Sequence, residues 1–413
     1  MKPKIRLKGF DGEWDKKIMG DLGTTYSGLS GKSKTDFGNG NALYITFLNV
    51  LTNAIIDTSS FQNVDVRKGE RQNEVKKGDL LFNTSSETPS EVGMCSVMGE
   101  EIPNLYLNSF CFGFRLNDRS IDSLFFAYLM RSPIGRRLMT LLAQGATRYN
   151  LSKSILYKAE LQFPQTISEQ QSIANYFKSL DELIQSTTQK VASLKQLKEA
   201  SLISMFPQGN ETTPRVRFKG FEGKWEIKSL SCFSKKVITK NANLKYKITL
   251  TNSADYGIIN QLDFFDHDIS NEDNTKGYYV VENDDFVYNP RISSNAPVGP
   301  INRNQLGYTG VMSPLYYVFR VDGINKDFLS WYFSTNLWHK FMKDNGNSGA
   351  RYDRLSITDE VFVQMPITFP SNIHEQQHIA SYFNALDTQI TLQEQRLEKL
   401  KQLKSACLDQ MFV

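Results

Sequence analysis

Apolar residues recur at helical spacing in two long stretches of the chain. From Ile173, steps of four and three residues reach Phe177, Leu180, Ile184, Thr187, Val191, Leu194 and Lys198. The same stepping from Ile379 reaches Phe383, Leu386, Ile390, Gln393, Leu397, Leu400 and Lys404. Alternating fours and threes make a heptad seam, and apolar and polar steps fall at the same places in both stretches. Neither stretch holds Pro or Gly before Pro207, while Pro164 and Pro370 stand just ahead, where extended backbone is favoured. Each stretch therefore predicts one long helix. A helix from about Glu169 to Phe206 would be roughly 57 Å long. The matched seams predict that the two helices pair as a stalk, in preference to two core helices of a compact fold.

The duplication extends beyond the helices. Ile5-Arg6-Leu7-Lys8-Gly9-Phe10-Asp11-Gly12-Glu13-Trp14 returns as Val216-Arg217-Phe218-Lys219-Gly220-Phe221-Glu222-Gly223-Lys224-Trp225, 211 residues later. Ile167-Ser168-Glu169-Gln170-Gln171-Ser172-Ile173-Ala174-Asn175-Tyr176-Phe177 returns as Ile373-His374-Glu375-Gln376-Gln377-His378-Ile379-Ala380-Ser381-Tyr382-Phe383, with an offset of 206. Lys195-Gln196-Leu197-Lys198 and Met205-Phe206 recur at that offset as well. The drift from 211 to 206 means that a few residues were gained or lost between the shared pieces. The chain is a half written twice.

Each half runs from a basic Gly-Phe…Trp entry through mixed pattern to one helix. Strand-like runs occur at 42–47 and 246–250, and apolar, aromatic helical patches surround 124–128 and 328–332. This predicts an α+β (mixed α/β) fold with an internal repeat. The expected divisions are a globular domain over 1–165, a helix over 166–207, a linker over 208–215, a second globular domain over 216–370 and a second helix over 371–413.

Composition narrows the class. At 413 residues the chain is expected to form two or three domains, and with 40% hydrophobic and 22% charged residues it can build real cores, so intrinsic disorder and fibrous structure are poor readings. The net charge of +4 permits nucleic-acid binding only where basic residues cluster. Cys95, Cys111, Cys232 and Cys407 have neither zinc-site nor redox-pair spacing, so a reduced, cytoplasmic protein is expected. Lys2-Pro3-Lys4-Ile5-Arg6 leads into no apolar signal region, and the run Leu124–Met130 is far short of a membrane span. Secreted and membrane classes are set aside.

A tandem repeat lets one chain imitate a two-fold dimer. The two middles nevertheless differ, as in Gly78-Asp79-Leu80-Leu81-Phe82-Asn83-Thr84-Ser85 against Asn283-Asp284-Asp285-Phe286-Val287-Tyr288-Asn289-Pro290-Arg291. A repeated scaffold carrying unlike heads suits an asymmetric, two-part target. Repeated helices also offer two equivalent docking surfaces.

With these pieces together, the chain resembles the specificity subunits of type I restriction-modification enzymes. The likeness rests on the duplicated Glu-Gln-Gln-x-Ile-Ala-x-Tyr-Phe helix starts, each after an apolar-Pro strand end (Phe163-Pro164 and Phe369-Pro370). The Lys-Gly-Phe…Trp entries, Gly145-Ala146-Thr147-Arg148-Tyr149-Asn150-Leu151-Ser152, and its counterpart Ser348–Ser356 agree with it. The resemblance covers essentially the whole chain. It implies two target recognition domains, each gripping one half of a bipartite double-stranded DNA site in a system of defence against foreign DNA. It implies an antiparallel helical spacer that docks two modification (methyltransferase) subunits, with restriction (motor-nuclease) subunits joining them. S-adenosylmethionine, ATP and Mg would then belong to those partners, adenine methylation would be theirs, and this chain would be non-catalytic and bind no cofactor or metal.

Two motifs bear on that last point. An adenine methyltransferase needs Asn/Asp-Pro-Pro-aromatic, and the nearest match, Asn289-Pro290-Arg291-Ile292, lacks the second Pro and the aromatic; no phosphate-binding loop is present. A turn presenting Arg291 and Ser293 is the better reading of that match. His374-Glu375-Gln376-Gln377-His378 has the spacing of a zinc hydrolase helix, but the other copy reads Ser168-Glu169-Gln170-Gln171-Ser172. A helix-capping role suits both copies.

Base edges are read by Arg, Lys, Asn, Gln, Ser and Thr. The DNA-contact candidates are Lys32 and Lys34, then Asn83, Thr84, Ser85 and Ser86 with their counterparts Asn289, Arg291, Ser293 and Ser294. Arg148 and Tyr149 follow, with Arg351, Tyr352 and Arg354 in the second half. The competing roles are a solvated loop for the lysines, a structural turn for the Asn/Ser groups, and scaffold or ring packing for Arg148, Tyr149 and their counterparts. Lys195, Lys198, Lys401 and Lys404 suit a solvated coiled-coil face better than a DNA track. Outside the family resemblance, a freestanding sequence-specific repressor and a purely protein-binding scaffold remain as alternatives.

Overall fold

The computed structural model describes residues 1–264, 272–348 and 353–413. Its chain divides into two compact units, residues 1–189 with 394–413, and residues 190–393.

The first unit runs through β1 (Asp15–Ile18), β2 (Gly23–Ser27), β3 (Leu80–Asn83), β4 (Cys95–Val97), β5 (Cys111–Leu116), α1 (Ser123–Arg131) and β6 (Glu160–Phe163) into helix α2 (Ile167–Ser204). Its central sheet is antiparallel in the order β2-β5-β3-β4, while β1 pairs with β6. Strand β3 reads Leu-Leu-Phe-Asn and is buried throughout, because its side chains alternate between two cores. Leu80 and Phe82 face a core with Trp14, Phe125 and Phe177, and Leu81 faces another with Ile45 and Met98. An exposed sheet face would instead have alternated with polar residues.

The second unit repeats this plan with β7 (Glu226–Ser229), β8 (Ser234–Lys236), β9 (Phe286–Tyr288), β10 (Ile301–Arg303), β11 (Tyr317–Val321), α3 (Lys326–Phe333) and β12 (Pro366–Phe369), followed by helix α4 (Ile373–Gln410). Its sheet order is β8-β11-β9-β10, and β7 pairs with β12. Phe286 and Tyr288 face one core and Val287 the other. One ion pair on a buried aspartate pins each sheet. Asp79 accepts from Arg115 at 2.8 and 2.6 Å, and Asp285 accepts from Arg320 at 2.8 and 3.0 Å. The Asp79 carboxylate raises the pKa of Arg115, chiefly through that hydrogen bond.

Strand expectations are met unevenly. The run at 42–47 lies mostly in a strand, Phe37–Ile45, followed by a short helix from Phe47. The run at 246–250 does not, since a strand begins only at Leu250. Asn241 explains the difference, because its side chain donates to the Tyr246 carbonyl at 2.8 Å and accepts from the Tyr246 amide at 3.1 Å. That clasp turns the segment into a loop.

Both long helices have 38 residues, and each passes from one unit into the other. Within the first unit, early α2 runs antiparallel to late α4: Tyr176 meets Cys407 at 3.4 Å, and Asp181 pairs with Lys404. Within the second, late α2 runs antiparallel to early α4: Ser201 meets Tyr382 at 3.0 Å, and Lys198 pairs with Asp387 at 2.5 Å. Ile173, Phe177, Leu180, Thr187, Val191, Ile379, Phe383, Leu386 and Ile390 are buried, and Ile184, Leu194, Leu397 and Leu400 half-buried. The seam lysines Lys198 and Lys404 are therefore not part of a solvated face. Each is three-quarters buried, ion-paired, and over an aromatic ring: Trp331 at 4.8 Å and Tyr128 at 5.9 Å. Lys401 is exposed. The repeated Met-Phe pairs close each core, with Phe412 against Phe125 and Phe177 at 5.4 and 5.6 Å, and Phe206 against Phe328 and Phe383 at 5.5 and 6.1 Å.

Residues 208–215 are held rather than loose. Trp225 donates its amide to the Thr212 carbonyl at 2.7 Å, and Arg215 pairs with Glu211 at 3.0 Å. Among the described residues, no helix is long and apolar enough to cross a membrane.

Candidate nucleic-acid interface

The duplicated signature is framework. Glu169 and Glu375 lie in the first turns of α2 and α4 and are almost wholly buried. Arg6 grips Glu169 through Nε and Nη2 at 2.8 and 2.7 Å, and Trp14 Nε1 donates to it at 3.3 Å. Arg217 grips Glu375 at 2.7 and 2.8 Å, and Trp225 Nε1 donates at 3.3 Å. Bidentate arginine on a carboxylate at a helix N-terminus combines a charge-assisted pair with a favourable dipole. The neighbouring Gln170 donates to Pro164 at 3.1 Å and accepts from the Asp122 amide at 2.9 Å. Gln376 donates to Pro370 at 2.8 Å and accepts from the Asn325 amide at 2.8 Å. Asp122 and Asn325 in turn cap α1 and α3. The entry motif and the Glu-Gln-Gln motif are thus two sides of one joint between globular domain and helix.

That joint accounts for the zinc-like spacing. Glu375 is engaged by Arg217, while His378 Nδ1 lies 2.7 Å from the His374 carbonyl with its ring against Phe221 at 5.4 Å. Among the described residues, no three His, Cys, Asp or Glu side chains are grouped to hold a metal ion.

The presented surface lies elsewhere. In the first unit, Tyr149 and Asn150 pair antiparallel with Ser86 and Ser85. The sequence clusters Asn83–Ser86 and Arg148–Tyr149, separated by some 60 residues, are one patch. Leu151 anchors it, buried, with its amide on the Thr84 carbonyl at 2.8 Å. The Gln144–Asn150 loop closes on itself through two hydrogen bonds, the Gln144 amide donating to the Asn150 carbonyl at 2.9 Å and the Asn150 amide to the Gln144 carbonyl at 2.8 Å. Gly145 permits this closure: its φ is +132°, and a Cβ there would sit 2.0 Å from the Arg148 carbonyl oxygen.

The second unit builds the same joint from different side chains. Leu355, buried, places its amide on the Pro290 carbonyl at 2.8 Å, and Arg291 bridges Arg354. The register sets Arg291 where the first unit has Ser85, and Arg354 where it has Asn150. Arg351 and Tyr352 lie outside the described residues. Arg291, Ser293, Ser294 and Arg354 are exposed, as is Arg148. Among the described residues, none of these three arginines has a carboxylate partner, and the Arg148 guanidinium donates to Ser85 Oγ at 3.2 Å.

Three expected contacts are corrected by burial. The Lys32 side chain is buried and ion-paired with Glu70, and donates to the Asp65 carbonyl at 2.5 Å, so it is not presented to a ligand. Asn83 is wholly buried and organises the turn, donating to the Glu91 carbonyl at 3.0 Å and accepting from the Met94 amide at 2.6 Å. Ser85 is buried beneath Arg148. Lys34 is exposed, and Thr84, Ser86, Tyr149 and Asn289 are half-buried. Ser86 bonds Glu91 at 3.1 Å, and Tyr149 packs against the core. Asn289 Oδ1 accepts from the Arg291 amide at 3.0 Å while Nδ2 donates to the Asn252 carbonyl at 2.8 Å, which holds the turn that presents Arg291.

Sequence reasoning missed Arg136. It donates to the carbonyls of Ser90, Val92 and Gly93, the first and last at 3.1 and 3.0 Å, and so braces the loop beside Asn83. Burial pushes its pKa down to about 10. Only a long-range contact reveals that role.

The Type I restriction modification DNA specificity domain matches the chain twice, over residues 11–196 and 222–402. The chain belongs to this family, whose specificity subunits are non-catalytic DNA-recognition proteins. Among solved structures, it is similar to the S subunit of a type I restriction-modification system from M. genitalium. They are 14% identical, the match covers 100% of this chain and 99% of that one, and the TM-score is 0.58. A chain from a structural study of complex assembly and conformational transition in the type I R-M system is 15% identical, with 96% and 97% covered and a TM-score of 0.51. These two likenesses concern the fold. No curated protein matches the sequence.

Proposed function

We propose that each unit reads one half of a bipartite double-stranded DNA site. In the first, Arg148, Tyr149, Thr84 and Ser86 would face the DNA; in the second, Arg291, Ser293, Ser294 and Arg354. The observation that carries this reading is the repeated joint itself, one backbone arrangement that leaves Arg148 exposed in one unit and Arg291 and Arg354 in the other. A conserved frame with exchanged side chains is what reading two different sequences requires. Uncompensated arginines supply the phosphate and base contacts.

In this reading, α2 and α4 set the distance between half-sites. The two repeated helix starts dock two methyltransferase subunits, and restriction subunits join through them. S-adenosylmethionine, ATP and Mg are held by those partners, and adenine methylation is their reaction. The test is to exchange residues 23–160 for another recognition domain and sequence the methylated adenines in cells that also express the modification subunit. One half-site should change and the other stay. Changes in both would defeat the modular reading. A site bound tightly with no partner and no methylation would instead indicate a repressor.

A further inference from the structure

Beside each arginine-bearing joint stands an exposed apolar side chain on a rigid turn. In the first unit it is Phe110, 58% exposed, immediately before β5. Its amide donates to Asn108 Oδ1 at 2.7 Å, the next amide, Cys111, donates to the Asn108 carbonyl at 3.1 Å, and its own carbonyl accepts from the Thr84 amide at 2.9 Å. In the second unit it is Leu315, 60% exposed, just before β11. Its amide donates to Ser313 Oγ at 3.4 Å, and the next amide, Tyr316, donates to the Ser313 carbonyl at 3.1 Å. These are the same turn, built with Asn in one copy and Ser in the other.

A single exposed hydrophobe means little on an ordinary surface. Here the feature occurs at the equivalent turn of both units, while the residue changes between them. Both turns also adjoin the presented joint. Phe110 is bonded to Thr84, and Leu315 lines a hollow of about 210 Å³ with Pro290, Tyr316, Leu355 and Ser356, next to Arg291 and Arg354.

We propose that Phe110 and Leu315 are specificity-determining residues, each seated against a thymine C5-methyl in the major groove of its own half-site. This rests on the reading that each unit binds one half-site. The C5-methyl is the apolar group on the groove-facing base edges, and aromatic and aliphatic side chains recognise it by contact. Thr84 and Ser86, or Arg291 and Ser293, supply the polar contacts alongside.

The test uses the full chain in complex with its modification subunit. Methylated motifs are sequenced for the unsubstituted complex, Phe110→Ala, Phe110→Leu and Leu315→Ala. Phe110→Ala should relax one T·A position in one half-site, Leu315→Ala one T·A position in the other, and Phe110→Leu should retain selection. Replacing that thymine by uracil in a duplex should weaken the unsubstituted complex roughly fourfold, the worth of one methyl group, and leave Phe110→Ala indifferent. Thermal unfolding of the Ala variants should match the unsubstituted chain, since both side chains are exposed.

A motif left unchanged by both Ala variants overturns the assignment, as does equal sensitivity to uracil with and without Phe110. A rise in 2-aminopurine fluorescence at the contacted step would show a wedge between bases, and also overturns it. Absence of any split motif with the unsubstituted complex would overturn the reading of the units themselves.

Discussion

Replacing Glu169 by Ala removes the keystone of the first joint. The loss leaves the Arg6 guanidinium, whose side chain is only 15% exposed, without its counter-charge, and Trp14 Nε1 without an acceptor. Arg6 keeps its bonds to the Gly12 and Asp11 carbonyls at 2.5 and 2.6 Å, so the charge stays near its buried position. Breaking one side of a buried pair in this way costs about 3–5 kcal/mol. The stranded indole N–H overlaps with that figure instead of adding to it. Native-state hydrogen exchange measures the effect locally. Amides at 170–177 should exchange about a hundredfold to several thousandfold faster, at tenfold per 1.4 kcal/mol. The equivalent amides at 376–383 belong to the other unit's joint and serve as an internal control. Glu375→Ala should reverse the pattern, and Glu169→Gln, which keeps an acceptor for Trp14, should fall between. Acceleration of less than about fivefold at 170–177, or an equal change in both segments, would refute the keystone argument.

Three further outcomes follow from the geometry. Lys17, together with Ser120, holds the Asp118 pKa down to about 2. Because the folded value lies below the unfolded value of about 3.9, its stabilisation is present above pH 4 and lost as pH falls through 2. Asp118→Asn should therefore cost about 1 kcal/mol or less at neutral pH and nothing below pH 2, as read from urea unfolding; a penalty that persists below pH 2 would contradict the pairing. Arg148→Ala and Arg291→Ala should each lower the slope of log affinity against log salt by about 1, and an unchanged slope would remove that arginine from the interface. Inserting seven residues into both long helices keeps the seam and adds roughly 10 Å, so the gap between half-sites should widen by about three base pairs while both half-sites stay the same.

The parts legible in the sequence were those written locally or written twice. A four-three alternation defines α2 and α4 without any tertiary information, and both stretches are helical, over Ile167–Ser204 and Ile373–Gln410. The entry motif was visible as a repeat, yet its partner was not, because Arg6 and Glu169 are 163 residues apart. The same limit governs Lys32. A Gly/Ser-flanked basic loop looks free until Glu70 is folded against it. Asn83 follows a strand as a contact residue would, but its amide is consumed by its own turn. The register between Ser85 and Asn150, which joins two candidate clusters into one patch, is a non-local pairing that no periodicity encodes. Phe110 was passed over because an apolar residue at a strand end ordinarily reads as core.

The central claim is that each unit reads its own half of the target. Single-molecule sequencing of adenine methylation tests it most directly, in cells expressing this chain with its modification subunit, before and after exchange of residues 23–160. The account predicts a split motif, methylated on both strands and absent without this chain, of which one half alone changes on exchange. A motif that changes in both halves, or the absence of any split motif despite a stable complex, would contradict it.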